Sequence, residues 1–304
     1  MNKISKILPL ALAAIILASG FSAQQASAAV SGNFFLTCHD PDFHSFLGGN
    51  SAGSRNLIKK GVNFIQDPAF NTFVSGGVTK ILFVESKISP PGGHTNGVNG
   101  FIAAGYILGT DFDHHDATTL NAALNQLGTT YSSIVVASDF GGVLTQAELD
   151  ILNARSADIV SFLNAGGGIY VMAESNLGEG LTPGGGRFAF LPFVTTSTAL
   201  DQSESGNIVT PFGTSIGLAN ADVNGNASHC FFNGLFGLNL VDFDPSDRKL
   251  SLAGRTLTPD VVGGELLPIE TTSLLLAGAQ SSLAWILPVV LAVVGLAAFN
   301  LRRN

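Results

Sequence analysis

The sequence predicts an α/β domain, a parallel sheet held between two layers of helices, followed by a C-terminal transmembrane helix. Three observations carry that expectation. Short apolar runs alternate with amphipathic helical patterns, which is how strands buried on both faces read. Charged residues are only 12% of the 304 and hydrophobic ones 46%, against a usual charged share of ~25%, so the chain is far too apolar to be disordered. Both ends are apolar stretches beside basic residues and stand outside the domain pattern.

The N-terminus begins Met-Asn-Lys-Ile-Ser-Lys, runs apolar from Ile7 to Ala18 and reaches Ala26-Ser27-Ala28. A basic start, a short apolar core and an Ala-x-Ala site make a secretory signal peptide, residues 1–28. Within 29–264 the candidate strands and helices come in order. Residues 33–38 are the first strand, and 53–66 a helix with Leu57, Ile58, Val62 and Ile65 on one stripe. Residues 80–84 and 132–137 are strands. Thr145 and Glu148 form a capping box that opens a helix running to about Asn164. Gly166-Gly167-Gly168 ends it, and 169–173 is a strand at once. Asp111 to Asp116 reads as a solvated turn before a helix at Thr118. Residues 177–244, rich in Gly, Asn, Thr and Ser, read as a long insertion or β-rich lobe, and 250–254 returns to the sheet.

Residues 265–281 are a linker. Ser282 to Leu301 carries no charge and is followed by Arg302 and Arg303. Its length matches the ~20 residues that a bilayer core requires, and the basic end, 302–304, stays on the cytoplasmic side. The main domain is therefore expected outside, as a secreted or membrane-anchored cell-surface protein.

Charge narrows the partners. Four of the 14 basic residues lie in the end segments and all 22 acidic ones lie between Asp40 and Glu270, so the body carries about −12. That argues against a nucleic-acid binder, whose surface must be basic, and it favours solubility and cations and disfavours anionic partners. Two cysteines, Cys38 and Cys230, allow at most one bridge. An extracellular disulfide and a buried, unpaired strand-end Cys38 are both open readings.

In open parallel sheets ligands bind beyond the carboxyl ends of the strands. Those ends deliver Cys38, His39, Asp40, Asp42 and His44, then Glu85 and Ser86, then Ser138 and Asp139, then Glu174, Ser175 and Asn176. His39, Asp40, Asp42 and His44 are the candidate metal ligands, since imidazole and carboxylate on one loop suit a divalent ion. A plain Asp-Pro-Asp turn is the competing reading. Glu174, Ser175 and His94 are the candidate catalytic groups, the last on a Pro/Gly loop. Glu85, Asp139 and Asn176 are candidate ligand-binding groups. Ser175 is not flanked as Gly-x-Ser-x-Gly.

Residues Tyr131 to Val136, Leu144-Thr145, and the helix ending Phe162-Leu163-Asn164-Ala165-Gly166-Gly167-Gly168-Ile169 resemble class I glutamine-amidotransferase-like domains, in particular the trehalose-utilisation branch. Leu36-Thr37-Cys38-His39-Asp40 is similar to that branch's strand-then-His loop. The resemblance covers about half the domain and implies a flavodoxin-like, amidotransferase-like layered fold. Where the family places its nucleophilic cysteine, this chain has Met172-Ala173-Glu174-Ser175-Asn176, so the resemblance implies no glutaminase activity. Leu267-Pro268-Ile269-Glu270-Thr271-Thr272, the apolar segment and the final arginines resemble the tripartite PEP-CTERM-type sorting signal, with Pro-Ile-Glu in place of Pro-Glu-Pro. That implies a sortase-like processing enzyme as a partner.

Two functions follow as expectations, with a structural component of a surface lattice or envelope as a third. One is a ligand-binding surface module for carbohydrate or a matrix component, without catalysis. The other is an extracellular hydrolase that uses a divalent metal held by the His/Asp/Glu cluster.

Overall fold

The apolar runs take their places as neighbouring strands of one sheet. The structure, a computed structural model, describes residues 30–86, 97–139, 144–172, 188–203 and 205–257. These belong to one unit of the chain, Met1–Asp260. The expected signal peptide, linker, spanning helix and basic end lie outside the described residues. Among the described residues no helix is long and apolar enough to cross a membrane.

Five strands are mutually parallel: β1 (Val30–Thr37), β2 (Lys80–Val84), β3 (Phe112–His115), β4 (Tyr131–Val136) and β5 (Gly168–Met172). They lie side by side in the order β3-β2-β4-β5-β1. Period-2 alternation sends their side chains to two cores. Leu82, Val84, Ile134, Val136, Ile169 and Val171 face one side, with Leu149, Leu152, Ile159 and Leu163. Ile81, Phe83, Val135 and Tyr170 face the other, with Leu57, Ile58, Val62 and Phe101. Helices cover each side because the chain crosses over between parallel strands, and the crossovers are α2 (Ser51–Ile65), α4 (Gly97–Ala103), α6 (Gln146–Ala154) and α7 (Ser156–Asn164). Shorter helices are α1 (Pro41–His44), α3 (Thr72–Ser75) and α5 (Leu120–Ala123). Asn50 caps α2 by accepting from the Gly53 amide at 3.1 Å, as an N-cap asparagine does. Glu148 accepts from the Thr145 amide at 3.2 Å, which is half of the expected capping box.

The expectation of an all-parallel sheet is corrected on its other side. β10 (Lys249–Leu257) runs antiparallel to β1, and β9 (Asn239–Phe243) antiparallel to β10. The short β7 (Ile208–Val209) pairs with β9. β8 (Ala227–Phe232) and β6 (Ser197–Ser203) form an antiparallel ribbon that meets β10 at Lys249 and the chain after β1 at His39. The described strands of the Gly/Asn-rich stretch are thus part of the sheet. Residues 244–248 between β9 and β10 are too few for the crossover of about a dozen residues that parallel pairing requires. Two further expectations change. Residues 111–116 are not a free turn, since Phe112–His115 forms the edge strand β3. The single helix 145–164 is two, broken at Arg155 (φ −99°, ψ 17°).

Candidate functional site

The carboxyl ends of β1, β2 and β4 point to one rim, and the polar residues that follow them are buried there. Cys38 lies at the end of β1 and is bonded to Cys230 of β8, with their Cα atoms 4.9 Å apart. Of the two readings left open by the sequence, the disulfide is the one observed. The His229 amide donates to the Cys38 carbonyl at 2.9 Å, so the bridge sets His229 beside His39. The chain then enters α1, with Asp40 before it and Pro41 at its first position, where a proline's missing N–H costs nothing.

Asp42 turns inward. Its carboxylate accepts from the Ser138 amide at 2.9 Å, the Ser138 hydroxyl at 2.8 Å and the Phe43 amide at 3.1 Å. It is fully buried. Burial first, and the neighbouring Asp40 second, push its pKa up to about 6. Glu85, after β2, is also fully buried. It accepts from the Gly97 amide and, at 2.9 Å, from the Val98 amide at the start of α4. His114 Nε2 donates to the Glu85 carbonyl at 2.9 Å, which requires the proton to sit on Nε2. Asp139 and Ser86 are buried at the same rim.

Asp40 occupies the centre of a buried imidazole–carboxylate group. Oδ1 lies 3.3 Å from His44 Nε2 and Oδ2 lies 3.3 Å from His229 Nε2. His39 Nε2 contacts Asp242 Oδ2 of β9 at 2.8 Å. All but His44 are no more than 3% exposed. The crevice beside His39 and Asp40, completed by Ser54, Asp222 and Asn226, has no room for a water-sized molecule.

The four expected metal ligands therefore do not meet. His39 turns to Asp242 and Asp42 to Ser138, and of the four only Asp40 and His44 face each other. A helical turn explains it: residues 40 and 44 share a face, whereas 42 is about 200° round the axis from 40. Among the described residues, no group of three or more His, Cys, Asp or Glu side chains is placed to hold a metal ion. His94, Glu174, Ser175 and Asn176 lie outside the described residues. Glu85 and Asp139 do gather at the rim with the β1 loop. Asp242 and His229, which complete this group, are not among the residues the sequence singles out. Pairing the two cysteines would have found His229, because it precedes Cys230 as His39 follows Cys38.

The Asp42 environment gives a pH prediction. A carboxyl whose native pKa is about 6 and whose unfolded value is 3.8 holds a proton in the folded chain after the unfolded chain has released it. Its contribution to stability is complete below the unfolded value and is lost as pH rises through about 6, by on the order of 3 kcal/mol for a two-unit shift. Asp42→Asn mimics the neutral form, and the Ser138 hydroxyl can rotate to accept from the new amide. Melting temperatures measured from pH 4 to 7.5 should fall more steeply for the native chain than for Asp42→Asn, with the variant the more stable at the upper end. Parallel curves would refute this.

No protein-family model matches the chain, and no curated protein matches it.

Proposed function

We propose that the chain is an exported, membrane-anchored cell-surface protein whose amidotransferase-like α/β body is a ligand-binding module for carbohydrate or a matrix polymer, without catalysis of its own. One observation carries this reading. Among the described residues, the imidazoles and carboxylates at the strand ends are turned to partners within the chain: Asp42 ties β1 to β4, Glu85 caps α4, Asp40 sits between two histidines, and His39 is held by Asp242. General acid–base work needs such a group within reach of a substrate proton, and here each is turned to another part of the chain.

The cysteines support the same reading. The chain has two, both in the disulfide, so neither is a thiolate nucleophile of the amidotransferase kind. A disulfide also fits an oxidising, extracellular location, in line with the leader and the basic-tailed apolar segment of the sequence. The acidic body suits a soluble surface domain.

The test is co-sedimentation of the purified full chain with a panel of insoluble polysaccharides and cell-wall preparations, with reducing-end release followed in parallel. Retention on at least one polymer, unaffected by chelator and without sugar release, is the expected result. Release that requires added zinc or manganese and disappears in His44→Ala would replace the module with the metal-dependent hydrolase. Neither retention nor release across the panel would also overturn the proposal.

A further inference from the structure

A second feature lies at the opposite rim, where β1 begins and α2 ends. Lys60, Asn63, Phe64, Asp67, Phe212 and Arg255 line an open cleft of about 330 Å³, within the range of small-molecule sites. Phe212 belongs to α8 (Pro211–Ser215) and Arg255 to β10. None of these residues belongs to the strand-end cluster.

The cleft is built around a fixed guanidinium. Arg255 lies over the rings of Phe64 and Phe70, at 4.3 and 3.7 Å from their centroids. Its Nη2 donates to Asp67 Oδ2 at 2.7 Å. Asp67 is otherwise engaged by the Ala69 amide. Arg255 Nε is buried and has no hydrogen-bond partner, a costly state for a charged donor. Lys60 takes part in none of the described ion pairs, and its ammonium lies against Gly217: a Cβ on that residue would sit 2.7 Å from Nζ. Gly217 has φ +92°, a conformation that favours glycine. Two cations and one carboxylate leave the cleft positive in a chain of net charge −8.

We propose that this cleft binds an acidic saccharide, a uronic acid unit whose carboxylate meets Lys60 and Arg255 while its ring lies against Phe212. The charge excess selects the carboxylate. The aromatic wall offers a face for the apolar side of a sugar ring. Asn63, exposed on the same face of α2 as Lys60, supplies a donor and an acceptor for ring hydroxyls. The assignment rests on the ligand-binding reading above and names the class of ligand and the place it binds.

The test is titration calorimetry on the purified full chain with three probes: trigalacturonic acid, the neutral maltotriose and inorganic phosphate. Trigalacturonic acid should bind and weaken as salt is added. Maltotriose should bind at least about tenfold more weakly, and Lys60→Gln should lose about tenfold for the acid alone with an unchanged melting temperature. Arg255→Lys keeps the charge and loses the planar fork, and it should weaken the acid as well. Equal binding of the acidic and neutral sugars overturns the assignment. So does phosphate that competes as strongly as the saccharide, which would mark a simple anion site. If trigalacturonic acid fails while a polymer is still retained in co-sedimentation, the cleft assignment falls and the module reading stands; if both fail, both fall.

Discussion

Gly100→Ala should unseat α4 from the strand-end rim and lower stability by about 3 kcal/mol. A Cβ at this position would lie 1.7 Å from the Asp42 carbonyl oxygen and 2.7 Å from the Ser45 hydroxyl. The first neighbour is backbone, so no rotamer change relieves it. Gly97, one turn earlier, is nearly as tight, with its ideal Cβ 2.6 Å from Asp42 Oδ2. Glycine lowers helix stability by ~1 kcal/mol relative to alanine. Two in the seven residues of α4 make sense only as the means of close approach to α1. The Ser45 hydroxyl donates to the Gly100 carbonyl at 2.9 Å, so the substitution also strains the contact that holds the two helices together. Thermal unfolding should show a drop of roughly 10 °C, with loss of near-ultraviolet ellipticity from the surrounding aromatic residues. An unchanged melting temperature would mean that α4 does not pack here as described.

What the sequence reveals of this fold follows from where each element is buried. β2, β4 and β5 are legible because both faces are covered, which leaves runs such as Ile-Leu-Phe-Val with hardly a polar residue. β3 is illegible for the opposite reason. It is an edge strand with one fully buried residue, Phe112, and its histidines face groups that periodicity does not see: Glu85 for His114, Tyr131 for His115. The break at Arg155 carries neither Pro nor Gly. Its guanidinium is held by Asn121, Asn125 and Asp158, a tertiary anchorage with no local mark. The candidate site divides in the same way. Its local half, Asp40 to His44, is visible as a motif. The partners that decide what the motif does, Ser138, His229 and Asp242, come from about 100 to 200 residues away along the chain, and their choice of neighbour is set by packing. A cluster of metal-ligand residue types was therefore readable, and its use as a set of internal ties was not.

The disulfide is where these links converge, and its loss should be felt in both stability and site. Cys38 and Cys230 are separated by 192 residues, so the bond removes much of the unfolded chain's freedom. Losing a native bridge typically costs about 2–5 kcal/mol. Here the bond also pins β8 against the end of β1, which sets His229 on Asp40. Freed from it, His229 can withdraw and leave the buried Asp40 with one imidazole fewer beside it, a further penalty for a buried polar group that loses a neighbour. Cys38→Ser, Cys230→Ser and the double variant should therefore melt at the same lowered temperature, because each removes the same single bond and the effects do not add. The native chain should fall to that temperature when reductant is present, while the variants should ignore reductant. Thiol titration of the unfolded native chain should find no free thiol before reduction and two after it. A native chain that keeps its melting temperature after both thiols have become titratable would show that β8 is held to β1 by its backbone pairing alone. The His229–Asp40 contact would then owe nothing to the bridge.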